Sequence, residues 1–178
     1  MEDRPPGKKT VREEAQTMGN FYTDTLRPHP SFELSRRFSS LDLLEPGTRS
    51  RVAAIIADAQ AHGVSLMAWE TFRSRARQKL LFDKGVSKLQ QVGVHGFGLA
   101  CDIVFDIAGE PSWKGDFSLL GSLARAHGLI WGGDWGDPAR KHGFVDAVHV
   151  QRCPLRRQAA LFREEWYPDA AYDPYQDL

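Results

Sequence analysis

The sequence predicts a single α+β domain in which a small, mainly antiparallel sheet is packed by helices. Three observations predict it. A chain of 178 residues is long enough for one sizeable core and short for two ordinary domains. Hydrophobic residues at 42% and charged residues at 26% give a globular balance rather than a disordered one. Short strand-like and helix-like segments follow one another without a regular βαβ period, and several links between strands suit antiparallel pairing.

Taken in order, residues 1–20 read as a mobile charged arm containing Pro and Gly, which leaves residues 21–178 as the domain. Scattered anchors over 21–46 (Phe21, Tyr22, Phe32, Phe38, Leu41, Leu44) predict irregular chain lying on a core. A helix follows Pro46-Gly47, with Thr48 as N-cap, Val52, Ile55, Ile56 and Ala59 at helical spacing, and Gly63 as its stop. Residues 64–69 alternate as a strand. Ser74 caps a second helix that stops at Gly85. Residues 99–107 read as a strand closed by a Gly109-Glu110-Pro111 reversal. Asp116 caps a third helix with Phe117, Leu120, Leu123 and Ala124, ending at Gly128. After a Gly- and Trp-rich loop comes a last strand over 148–151. The final helix sets Leu155, Ala159, Phe162 and Trp166 on one face.

Charge excludes some classes of function. Lys and Arg number 23 and Asp and Glu number 23, so the formal charge is zero. Bulk electrostatic binding to nucleic acid or an anionic membrane is not expected. The longest apolar islands, such as Val52-Ala53-Ala54-Ile55-Ile56-Ala57, are far short of a membrane span. The first 20 residues contain no apolar run of a secretory signal, so synthesis in the cytoplasm is expected. Cys101 and Cys153 cannot form a disulfide scaffold and read as packing residues. Lys8-Lys9 and Arg36-Arg37 read as solvated faces.

Two clusters carry chemistry. In His95-Gly96-Phe97-Gly98-Leu99-Ala100-Cys101-Asp102 a carboxylate begins an apolar strand, with Asp102, Val104 and Asp106 on one face and Ile103 and Phe105 on the other. A carboxylate there is costly unless a positive partner neutralises it. In Asp146-Ala147-Val148-His149 the acid and the imidazole share a side only if the chain bends before Val148. Each cluster alone reads as a solvated Asp beside an ordinary His. Together His95, Asp102 and His149 make a donor set suited to Zn²⁺ with an open fourth position. Asp146 is then placed to take a proton from the attacking water. Arg73, between strand and helix, is the candidate donor to the oxyanion, and its position at a helix start is unfavourable for a cation. His62, His127, His142 and His29 have no partner at metal spacing, His127 complementing its helix end. Asp134 is expected to bond its own glycine turn or to support a ligand histidine. No cysteine-protease, GxSxG or phosphate-loop signature is present.

At these residues the sequence resembles the M15 zinc peptidases. The resemblance is carried, in order, by Phe72-Arg73-Ser74 with Gln78, by His95-x-x-Gly98-x-Ala100-x-Asp102, by Trp131-Gly132-Gly133-Asp134-Trp135, and by Asp146-x-x-His149. It spans about residues 41–151, leaving 152–178 as a terminal helix and tail. It implies a hedgehog-like fold, one Zn²⁺ per chain and cleavage of an amide in peptidoglycan stem peptides. The Trp-Gly element leans toward the endolysin-like branch and an L-Ala–D-Glu endopeptidase. The D-Ala–D-Ala carboxypeptidase or dipeptidase is the alternative, as is a non-catalytic zinc-binding module of the same fold.

The resemblance further implies His95, Asp102 and His149 as zinc ligands, Asp146 as general base and Arg73 as the residue steadying the substrate carbonyl. Gln78 matches a family position with no assigned role. Trp131 and Trp135 are candidate walls of the substrate cleft. A monomer is expected, acting on the cell wall after release through a lysis or secretion system, with no nucleic acid partner and no membrane insertion. Two departures stand out. Gly93 replaces a serine usual in the family, and residues 136–143 make a longer link than expected.

Overall fold

The computed structural model describes residues 19–88, 93–136 and 145–177. The charged arm falls almost wholly outside them, as do Lys8, Lys9, His142 and nearly all of the 136–143 link. The chain folds into an antiparallel sheet flanked by helices, in agreement with the expected α+β class. Strands β1 (Leu66–Glu70), β2 (Ala100–Ile107), β3 (Glu110–Ser112), β4 (Ile130–Trp131) and β5 (His149–Gln151) form it. Their order is β1-β2-β5-β4, and β3 pairs the far half of β2. All four pairings are antiparallel.

Helix α1 (Pro46–Ala61) places Val52, Ile55 and Ala59 on its buried face. Its N-cap is Glu45 rather than Thr48. The Glu45 carboxylate accepts the N–H groups of Gly47 and Thr48 at 2.9 and 2.7 Å and the Thr48 hydroxyl at 2.9 Å. Pro46 occupies the first helical position, where its missing N–H costs nothing. Helix α2 (Arg75–Asp83) starts at Ser74, whose hydroxyl accepts the Arg77 N–H at 3.0 Å as expected. Helix α3 (Ser118–Ala126) begins one residue after buried Phe117, and Asp116 accepts the Ser118 N–H at 2.8 Å.

Two further readings are corrected. The reversal after β2 is made by Ala108 and Gly109, both at positive φ, so Glu110 and Pro111 belong to β3. In helix α4 (Leu155–Phe162) only part of the face named from sequence meets the core. Leu155 is 81% exposed and Ala159 is exposed, while Leu161 is fully buried. Pro154 directly precedes the helix, Leu161 and Phe162 meet the core, and Trp166, which packs there too, lies beyond the helix end.

Two apolar clusters sandwich the sheet. One packs α1 and α3 on Leu66, Cys101, Ile103 and Val150. The other gathers Tyr22, Leu26 and Phe38 from the first described segment with Phe72, Phe97, Leu99, Cys153 and Leu161. Cys101 and Cys153 are free and buried in different clusters, as expected of packing residues. Among the described residues no helix is long and apolar enough to cross a membrane.

Candidate metal centre

The sheet register builds the centre. Glu70 of β1 stands opposite Asp102 of β2, and Asp102 stands opposite His149 of β5, so three polar side chains lie in a row across adjacent strands. His95 joins them from a short 3₁₀ turn, Val94–Phe97, that leads into β2. Gly98 ends that turn at φ 69°, with room only for a hydrogen: a Cβ there would lie 2.9 Å from the Leu43 carbonyl oxygen. The bend needed before Val148 is present. Ala147 and Val148 form a turn in which the His149 N–H donates to the Asp146 carbonyl at 3.2 Å.

The glycine-tryptophan motif explains itself at this turn. The Gly132 carbonyl accepts the Asp146 N–H at 3.0 Å, and a Cβ on Gly132 would sit 2.5 Å from the Asp146 carbonyl oxygen. The Trp131 indole N–H donates to the Ala147 carbonyl at 2.8 Å. Trp131 therefore braces the turn that presents His149. Trp135 lies at the centre itself, its ring 5.1 Å from that of His149.

His95 Nε2, Asp102 Oδ1 and His149 Nδ1 converge. The two imidazole nitrogens are each 3.1 Å from the carboxylate oxygen and 3.2 Å from one another. A tetrahedral zinc with ordinary N and O bond lengths sets its ligands about 3.3 Å apart, so the triangle has the size the ion requires. Protonation supports the same fit. His149 Nε2–H donates to Gln151 Oε1 at 2.9 Å, and Gln151 in turn donates its amide N–H to the Cys153 carbonyl, which fixes the amide's orientation. The Nδ1 of His149 is thereby left with a lone pair aimed at the lone pairs of Asp102 Oδ1. With both rings neutral and His149 protonated at Nε2, these three atoms share at most one proton, which suits a cation between them. His95 Nδ1 is buried with no hydrogen-bond partner among the described residues.

Burial lowers the His95 pKa, favouring the neutral ring that binds a metal. Burial also works against ionising Asp102, but the neighbouring His95 and His149 outweigh it and hold its carboxyl well below the ordinary range. For His149, burial is outweighed by the hydrogen bond and charge of Asp102, and its pKa rises. Burial pushes the half-buried Asp146 carboxyl up, although its bond from the Val148 N–H pulls the other way.

Arg73 reaches the second oxygen of Asp102 with Nη2 at 3.1 Å. Its Nε donates to Glu70 Oε2 at 2.8 Å, Nη2 donates to the same oxygen, and Nη1 lies 3.5 Å from Gln78 Oε1. Glu70, only 2% exposed, also accepts from Arg77 Nε at 3.1 Å. Gln78 is buried, with its amide N–H on the Ser87 hydroxyl at 2.7 Å. The structure thus brings Arg73 and Gln78 together beside the metal-sized triangle. Asp134 does not support a ligand histidine; it forms an exposed pair with Arg125 at 2.7 and 2.9 Å, and Gln151 takes the supporting role. His127 pairs with Asp58 at 2.7 Å, and His29 and His62 make local backbone contacts.

Glu70 and Gln151 escaped the sequence reading. Glu70 had a visible signal, a carboxylate three and seven residues before arginines at a strand-to-helix junction. Gln151 had only its place two residues after His149 on the same face of a strand.

No family model matches the chain. Over 130 residues it is 27% identical to the peptidoglycan L-alanyl-D-glutamate endopeptidase CwlK of Bacillus subtilis, a match covering 62% of this chain and 74% of the relative. Among solved structures it is similar to the L-Ala D-Glu endopeptidase ChiX of Serratia marcescens, at 26% identity and TM-score 0.48, over 66% of this chain and 90% of that one. It is also similar to the D,D-pentapeptidase VanY from a VanB-type resistance cassette in complex with Zn(II), at 15% identity and TM-score 0.49, over 67% and 78% of the two chains.

Proposed function

We propose that this chain, an M15-type zinc peptidase, hydrolyses the L-Ala–D-Glu amide of peptidoglycan stem peptides. The observation that carries the reading is the zinc-sized triangle of His95 Nε2, Asp102 Oδ1 and His149 Nδ1, with Gln151 holding His149 in its ligating tautomer. The similarity to a peptidoglycan L-alanyl-D-glutamate endopeptidase supports the choice of bond.

Those three atoms would hold the ion. Bound there, Zn²⁺ supplies a Lewis acid for the scissile carbonyl and a water acidic enough to lose a proton near neutral pH. Asp146 would accept the proton of the attacking water and return it to the departing amine nitrogen. Its burial-raised pKa makes it a better base than an exposed carboxylate. Arg73 donates to the carbonyl oxygen as negative charge gathers there. Glu70 and Asp102 hold the guanidinium in place, so little reorientation is needed during reaction. Trp135, beside His149, flanks the substrate. The peptidase unit is taken as residues 21–178, acting as a monomer on the wall after it has left the cytoplasm.

Mass spectrometry of fragments released from defined muropeptides tests the reading. New L-Ala carboxyl and D-Glu amino termini, lost on chelation, are expected. Release of terminal D-Ala instead would move the assignment to the carboxypeptidase class, and no cleavage by zinc-loaded protein would leave a binding module. Asp146→Ala should retain zinc and lose at least a hundredfold in kcat, the lower range for a general base. His149→Ala should lose zinc and activity together.

A further inference from the structure

The face of the sheet that carries Asp102 continues past the metal centre. Alternation along β2 puts Val104 and Asp106 on that face, while Cys101, Ile103 and Phe105 pack with α1 and α3. In the other direction the face closes at once, because Ala100 is fully buried in the second apolar cluster. Val104 is fully buried as well, yet among the described residues it belongs to neither cluster.

Two tryptophans meet over this part of β2. Trp69 comes from β1 and Trp113 directly follows β3, and those strands flank β2 on opposite edges. Their rings are nevertheless only 4.8 Å apart, edge to face at 85°, so the pair closes across β2. Neither ring packs on the cluster beneath α1 and α3, which leaves them on the Asp102 and Val104 face. Trp69 stands at the register shift between Ala68 and Glu70, directly beside the row that forms the centre. Arg37 lies over its ring, Cζ 3.6 Å from the centroid, and donates to its carbonyl. Trp113 is 50% exposed. Asp106, next on the same face, brings a carboxylate whose Oδ1 accepts the Gly109 N–H at 2.7 Å.

A half-exposed indole with a guanidinium and a carboxylate around it suits a neutral ring that has a C–H face and a rim of hydroxyls. The C–H face is the electropositive complement of the indole's negative face. A wholly apolar partner would strip water from Arg37 and Asp106 without return. The spacing agrees. In a stem peptide the L-Ala nitrogen is acylated by a lactyl group carried on an amino sugar. Two residue-length units, about 7 Å when extended, therefore separate the scissile carbonyl from the sugar ring. The step along β2 from Asp102 to Val104 is also about 7 Å.

Resting on the function proposed above, we propose that this shelf seats the N-acetylated amino-sugar ring from which the stem peptide hangs, with Trp113 as its platform. Recognition then extends from the peptide to the glycan, and a stem peptide freed of its sugar binds less well.

The test uses the zinc-loaded full chain and two ligands that end at the L-Ala carboxylate. N-acetylmuramyl-L-alanine and N-lactoyl-L-alanine differ only in the sugar and carry no scissile amide. Calorimetric titration of the wild type should show the sugar-bearing ligand bound about tenfold tighter, the size of one ring stacked on an aromatic side chain. Trp113→Ala should erase that difference by weakening the sugar-bearing ligand alone. Trp113→Tyr, which keeps a ring over the strand, should retain part of it and serves if alanine disturbs the sheet. A wild type without preference, or a preference that survives undiminished in Trp113→Ala, overturns the shelf assignment. Preference without cleavage of any muropeptide would sink the peptidase reading and leave the shelf standing. Cleavage without preference would do the reverse.

Discussion

The atom that decides whether the centre binds metal is His149 Nδ1, and what decides its state is two bonds away. Gln151 accepts from Nε2 of that ring and is itself pinned by the Cys153 carbonyl. Supporting contacts of this kind typically set a ten- to hundredfold share of metal affinity. Gln151→Met should therefore weaken zinc binding by about that factor in competition with a chromophoric chelator, with all three ligands still in the chain. At this scale the candidate ligands were legible only in combination: a carboxylate at the head of an apolar strand and an Asp-x-x-His pair each read as ordinary alone, and together they make a zinc donor set. Gln151 and Glu70 were not. Their importance comes from strand register, which sets Glu70, Asp102 and His149 in one row, and register is not written in any single segment.

Among the elements, the strands and helices that carry the site were readable from period and caps. Ser74, β2 and the turn before His149 stand where the sequence predicts. One misreading falls where a side chain serves a distant partner. Glu45, which caps α1, also pairs with Arg152 far along the chain. The cysteines test the packing of these elements. Burial raises the Cys101 thiol well above its ordinary pKa and pushes Cys153 up to about 12. In a thiol titration at neutral pH the native chain should react at neither position, and denaturation should release both.

For the molecule as a whole, the least expected feature is Arg152, a fully buried arginine directly after the strand that carries His149. One end of its guanidinium donates to Glu45 at 3.0 Å. The other donates to the carbonyls of Asp169, Ala170 and Tyr172 at 2.8, 3.1 and 2.8 Å. It ties the start of α1 to the strand β5 and to the chain beyond α4. Removing one partner of such a pair leaves an uncompensated buried charge, at about 3–5 kcal/mol. Arg152→Met should lower the urea midpoint by a corresponding amount, with loss of zinc following loss of structure. Nothing in sequence marks this arginine, because its partners lie 107 residues before it and up to 20 after it.

That clasp has a consequence for the order of events during synthesis. While the ribosome still shields the carbonyls of Asp169, Ala170 and Tyr172, Arg152 has only part of its cage, and the neighbouring strand lacks its final seat. The candidate ligands His95, Asp102 and His149 are thus all synthesised before Arg152 can complete its contacts.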